Sequence, residues 1–156
     1  MSSTVNVKTA EYYVTDKEEI IETGSIGSCV AIVIFDPAAH IGGMAHAMLP
    51  ERHTRSQASV GKTAKFVDES IDLLLEGIRE LGGDVKHLNA KIVGGAKMFK
   101  HLSGDNKGIG FQNIEAAKKY LKAKHVALTG EDTGGSHGRL AEFNVHAGIL
   151  KVDSKI

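Results

Sequence analysis

The sequence predicts a mixed α/β or α+β domain, and three observations lead there. Residues 29–35, CVAIVIF, are apolar and largely β-branched, as in a strand covered on both faces. Val60, Ala64, Val67, Ile71, Leu74, Leu75, Ile78 and Leu81 fall mostly at steps of three and four. That is one apolar stripe of a helix about twenty residues long. The order of elements is several strands, a helix, a strand, a helix and more strands, which is not a regular βαβ repeat.

Each element has its own signal. Residues 5–14 alternate loosely, carry Tyr12 and Tyr13, and read as an opening strand. The apolar strand 29–35 ends at Asp36-Pro37, because proline has no N–H to give a ladder. Residues 41–48, rich in small side chains and closed by Pro50, form a hairpin-like partner around DPAAHI. Residues 51–59 are polar and loop-like. The stripe 60–81 is the first helix, stopped by Gly82-Gly83. Residues 90–93 make a strand ended by Gly94-Gly95. Asn113 is placed to cap a second helix running to about Lys124, with Ile114, Ala117 and Leu121 inside. Residues 125–129, 139–145 and 149–152 read as closing strands.

The chain has 156 residues, 42% of them hydrophobic, which fits one domain over 1–156. Nineteen Lys and Arg balance nineteen Asp and Glu, so net charge draws the chain neither to nucleic acid nor to an anionic membrane. The N-terminus lacks the basic start and apolar core of a signal peptide. The longest apolar run is far shorter than the roughly 20 residues a bilayer-spanning helix needs. A lone cysteine forms no internal disulfide, so the expected compartment is a reducing cytoplasm.

That cysteine, Cys29, follows TGSIGS at the mouth of the apolar strand. A nucleophilic thiolate needs a partner such as imidazolium and donors for an oxyanion. Gly24 and Gly27 permit a tight turn with amides exposed near the sulfur. If the two strands pair, His46 in GGMAHAMLP returns beside Cys29. Free cysteine is also among the most buried residue types, and a histidine on such a strand also serves as a hydrogen-bonded core residue; composition leaves both readings open. His40 is expected in a solvated turn, and His53, His87, His101 and His125 on the surface. The eight histidines and one cysteine show no zinc-ligand spacing, so no metal site is expected. GEDTGGSHGR lacks the Lys-Ser/Thr of a phosphate loop.

TGSIGSCVAIVIFD followed by GGMAHAMLP resembles the CheD family, the chemoreceptor glutamine deamidases of chemotaxis. The likeness continues in order through KFVDESIDLLLEGIRELGG, LNAKIVGGAKMF, IGFQN and EDTGGSHGR, and so covers almost the whole chain. The resemblance implies a layered sandwich of two β-sheets with helices packed outside, related to the catalytic domain of cytotoxic necrotizing factor. It implies a nucleophile at Cys29, a histidine partner at His46 and an assisting threonine at Thr23. Gly27 and Ser28 would contribute to substrate binding and the oxyanion site. Asp132, Gly134 and Gly135 would form a structural loop, with Arg139 a partner for Asp132. Ser25-Ile26 departs from the Gly-Leu often found in the family. The implied reaction converts receptor glutamine to glutamate and ammonia through a thioester, with no cofactor. Implied partners are the cytoplasmic helices of chemoreceptors and the CheC phosphatase. A non-enzymatic regulatory partner of CheC is the alternative.

Overall fold

The computed structural model describes residues 3–52, 61–98 and 108–155. Among them are nine strands and two helices. In chain order these are β1 (Ser3–Val7), β2 (Tyr12–Thr15), β3 (Glu19–Thr23), β4 (Val30–Asp36) and β5 (Ile41–Ala47). Then follow α1 (Val67–Glu80), β6 (Asn89–Gly94), α2 (Gly108–Ala123), β7 (Ala127–Thr133), β8 (Gly138–Asn144) and β9 (Ile149–Lys155). The strands form a four-stranded sheet, β1-β3-β8-β9, and a five-stranded sheet, β2-β5-β4-β6-β7. This is the α+β layout that the sequence and its resemblance predict.

Two apolar cores define three layers. Val30, Ile32 and Ile34 of β4 pack with Val67, Ile71, Leu74 and Ile78 of α1 and Ile114, Ala117 and Leu121 of α2. Ala31, Val33 and Phe35 point the other way, to Val7, Ile21, Ala141 and Phe143 of the four-stranded sheet. β4 is the middle strand of its sheet and is covered on both faces, which is why its sequence does not alternate. α1 carries Asp68 and Glu69 in its first turn and Arg79 in its last, charges that suit the helix dipole. No helix of the described residues is long and apolar enough to cross a membrane.

The structure departs from the sequence expectations in four places. The opening strand is two: β1 lies parallel to β3 in one sheet, and β2 pairs with β5 in the other. Ala10, at φ 69°, sits in the turn between them. β3, EIIET, was not expected as a strand. Its buried Glu19 is satisfied by hydroxyls of Ser3, Tyr13 and Thr15 at 3.0, 2.8 and 2.6 Å. α1 begins at Val67; Val60 lies outside the described residues, while Ala64 joins the same core from a non-helical segment. α2 begins at Gly108, so Asn113 lies inside the helix, fully buried, and does not cap it. His53 and His101 also lie outside the described residues.

Candidate active site

β4 and β5 run antiparallel, with Val30 opposite Ala47 and Ala31 opposite His46. Alternation along β5 puts His46 on the same face as Met44, which lies in the core between the sheets. Cys29 directly precedes β4, is partly exposed and packs against that same core. Cys29 stands two residues before the partner of His46, a diagonal that spans about 7–8 Å between Cα atoms in a regular ladder. The strand pair therefore brings Cys29 and His46 to one end of the inter-sheet face.

Among the described residues no hydrogen bond joins the two side chains. His46, only 3% exposed, has Nδ1 3.4 Å from the Val7 carbonyl. A carbonyl only accepts, so this contact puts the imidazole proton on Nδ1 and leaves the Nε2 lone pair free to take another. Thr23 is buried on β3, and its Oγ1 accepts from the Ala141 amide at 3.2 Å. Thr23 is also the ladder partner of Val7, so it meets His46 through Val7 and not by a direct bond. Burial pushes the Cys29 thiol up, against a weaker opposing effect from its own backbone amide. Burial pushes His46 down, against the Val7 contact. Both shifts favour a neutral thiol beside a neutral imidazole at rest.

The segment 27–29 is held by its carbonyls. Gly27 O accepts from Ala96 N at 3.0 Å, Ser28 O from Asn113 Nδ2 at 2.9 Å and Cys29 O from Gly95 N at 2.8 Å. The amides of Gly27, Ser28 and Cys29 donate to no main-chain carbonyl among the described residues. Three consecutive acceptors are thus bound within the protein while the donors remain available. The close approach requires Gly94: it sits at φ 112°, and a Cβ there would lie 2.4 Å from Cys29 O. The sequence marked Gly94-Gly95 only as a strand end. A glycine pair directly after a strand was the signal available for this approach, but it does not name the partner. Nothing local pointed to the Val7 carbonyl.

The Asp132 loop braces this segment from behind. Arg139, buried on β8, donates from Nε to Asp132 Oδ1 at 3.0 Å and from Nη1 to Gly134 O at 2.9 Å. Gly134 N donates to Gly94 O at 3.0 Å, and Lys97 N to Gly135 O at 2.9 Å. Asp132, Gly134 and Gly135 therefore lie one step behind the residues that hold Cys29. A groove of about 240 Å³ opens over Gly95, Lys97, Phe111, Ile114, Gly134 and Gly135. A larger cleft of about 370 Å³ lies between β7 and β9 and includes none of Cys29, His46 and Thr23. His40 is exposed and stacks on His146 with ring centroids 4.6 Å apart. His87 and His125 are exposed as well.

Comparison with known proteins places the chain in a family. The CheD family model, described as chemotactic sensory transduction, matches residues 48–154. The probable chemoreceptor glutamine deamidase CheD of Thermococcus kodakarensis is 38% identical over 148 residues, 95% of this chain and 91% of the relative. The chemoreceptor glutamine deamidase CheD of Thermotoga maritima is 42% identical over 142 residues, 91% of this chain and 86% of the relative. The chemoreceptor glutamine deamidase CheD of Halalkalibacterium halodurans is 39% identical over 153 residues, 97% of this chain and 94% of the relative. With a family match over most of its length and relatives 38–42% identical across nearly all of it, the chain belongs to the CheD family.

Proposed function

We propose that this chain is a glutamine deamidase acting on the cytoplasmic helices of chemoreceptors, with Cys29 as nucleophile. The observation that carries the reading is the placement of Cys29 and His46 at one end of the inter-sheet face, beside 27–29 amides that donate to no main-chain carbonyl among the described residues. The names of the curated relatives support the substrate class.

His46 Nε2 takes the thiol proton as the sulfur attacks the side-chain amide carbon of glutamine. A neutral resting pair suits this, because the base must be deprotonated before attack. The Ser28 and Cys29 amides, with Gly27 permitting the turn, receive the oxyanion. The imidazolium then gives its proton to the leaving nitrogen, and ammonia departs. Water, deprotonated by His46, hydrolyses the thioester to glutamate and frees the thiol. The Val7 carbonyl orients the imidazole as the third group of such sites does, and Thr23 supports Val7 across the ladder. The groove over Phe111 and Ile114 gives a receptor helix an apolar surface beside the nucleophile.

The test is mass spectrometry of a purified chemoreceptor cytoplasmic fragment incubated with the wild type and with Cys29→Ala. Glutamine residues should gain the mass of amide-to-acid conversion with the wild type alone, while Cys29→Ala still binds the fragment. Equal conversion by Cys29→Ala ends the mechanism. No conversion by the wild type, alongside tight binding to the CheC phosphatase, would replace the enzyme with a regulatory partner.

A further inference from the structure

Asn113 lies in the second turn of α2, fully buried, yet its side chain serves no part of its own helix. Nδ2 donates to Ser28 O at 2.9 Å and to Met48 O at 3.0 Å. Ser28 immediately precedes Cys29, and Met48 stands two residues beyond His46. One nitrogen thus ties the entry of β4 to the exit of β5, the two strand ends that carry the candidate nucleophile and base. Oδ1 is left buried with no partner among the described residues. An unmatched buried acceptor is costly, and here it accompanies two donors at a point where no main-chain amide of the described residues serves either carbonyl. An aspartate of the same shape would face both carbonyls with acceptors alone.

The direction of the bond matters as much as its existence. No described peptide bond is cis, so the Ser28 carbonyl and the Cys29 N–H point in opposite directions across one plane. Fixing Ser28 O against Asn113 aims the Cys29 N–H away from α2. That N–H donates to no main-chain carbonyl among the described residues, and its nearness lowers the thiol against the larger effect of burial. The flanking carbonyls of Gly27 and Cys29 are held by Ala96 and Gly95, so Asn113 is the side-chain member of a three-point hold on this segment.

We propose that Asn113 is a positioning residue of the active site: by binding Ser28 O and Met48 O together, it aims the Cys29 amide at the reacting centre and keeps Cys29 in register with His46. This rests on the deamidase reading. Asn113 touches no substrate atom; it acts through the peptide that does.

The test compares Asn113→Ala and Asn113→Ser with Leu121→Ala, which opens a cavity on the same helix away from the segment. Folded fractions come from urea unfolding. The kcat and KM come from ammonia release on a chemoreceptor cytoplasmic fragment, per mole of folded protein. Cys29 alkylation by iodoacetamide is followed against pH. Asn113→Ala should lower kcat by about tenfold to a hundredfold, short of the full loss of an oxyanion donor. Its KM should stay within about twofold, the pattern of a transition-state interaction, and its alkylation profile should move to higher pH. Asn113→Ser, which can still donate to one carbonyl, should retain more turnover than Asn113→Ala. Leu121→Ala should lose stability with an unchanged kcat and profile. The assignment is overturned if folded Asn113→Ala keeps wild-type kcat, if Leu121→Ala loses kcat equally, or if neither Asn113 variant folds. Absence of deamidation by the wild type would instead remove the deamidase reading, and the alkylation profiles would still report the placement of Cys29.

Discussion

Replacing Asp132 with alanine should destabilise the fold and spare the chemistry. The side chain of Arg139 is 3% exposed and that of Asp132 46% exposed, with 3.0 Å between Arg139 Nε and Asp132 Oδ1. Breaking a fully buried pair costs about 3–5 kcal/mol because the remaining charge is stranded. Exposed pairs contribute about 0–1 kcal/mol. This pair lies between those limits. Water can reach the side vacated by Asp132, and Arg139 keeps its bond to Gly134 O. The expected loss is therefore about 1–3 kcal/mol, with a melting temperature lower by about 2–4 °C per kcal/mol for a chain of this size. Asp132→Asn keeps an acceptor for Arg139 and should cost less. Turnover per folded molecule should be nearly unchanged. The links from the loop to Gly94 and Lys97 are main-chain bonds that the substitution leaves in place. Urea unfolding gives the stability, and ammonia release normalised to folded protein gives the turnover. Wild-type stability together with lost turnover would refute this and place Asp132 in the catalytic site.

Two further outcomes follow from the same geometry. At Gly110, a Cβ would stand 2.5 Å from Ala96 O and 2.6 Å from Gly95 O, so Gly110→Ala must push α2 away from the segment that holds Cys29. Urea unfolding should show a loss of about 1–3 kcal/mol, as for other overpacked contacts, with kcat falling in parallel; a neutral result on both would disprove the close docking. Burial moves Cys29 up and His46 down, so both are neutral at pH 7. Iodoacetamide alkylation should therefore rise in a single step above the ordinary thiol value of about 8.5, and deamidation should fall on the acid side only below the ordinary imidazole value of about 6.5, where His46 gains its proton. An alkylation plateau below pH 7 would reveal a thiolate–imidazolium pair and contradict that assignment.

Local sequence encodes which faces are buried, and those features were legible. The unbroken apolar run of β4 announced a strand covered on both sides, and the structure puts it in the middle of its sheet. The stripe from Val67 to Ile78 announced the inner face of α1. The pairing of β4 with β5 was visible in two apolar strands around DPAAHI, and it brought His46 back toward Cys29. Ala64 shows the limit of periodicity: it joins the stripe's core without being helical, because burial constrains the position of a side chain and not the backbone that delivers it.

What the sequence left open was the identity of distant partners. β3 hides its strand character behind glutamates, and Glu19 becomes buried only because hydroxyls from β1 and β2 converge on it. β1 and β2 look like one alternating strand until tertiary pairing sends them to different sheets. Asn113 carries the local signature of a helix cap, yet its donors go to carbonyls 85 and 65 residues away. The same amide chemistry serves either role, so local sequence cannot choose between them. A backbone carbonyl leaves no trace in side-chain identity, and the Val7 carbonyl facing His46 is therefore invisible until the sheets are stacked. Residue type and spacing were enough to mark Cys29 and His46 as candidates. The hold on the Cys29 peptide depends on long-range hydrogen bonds, whose partners are chosen only when the three layers close.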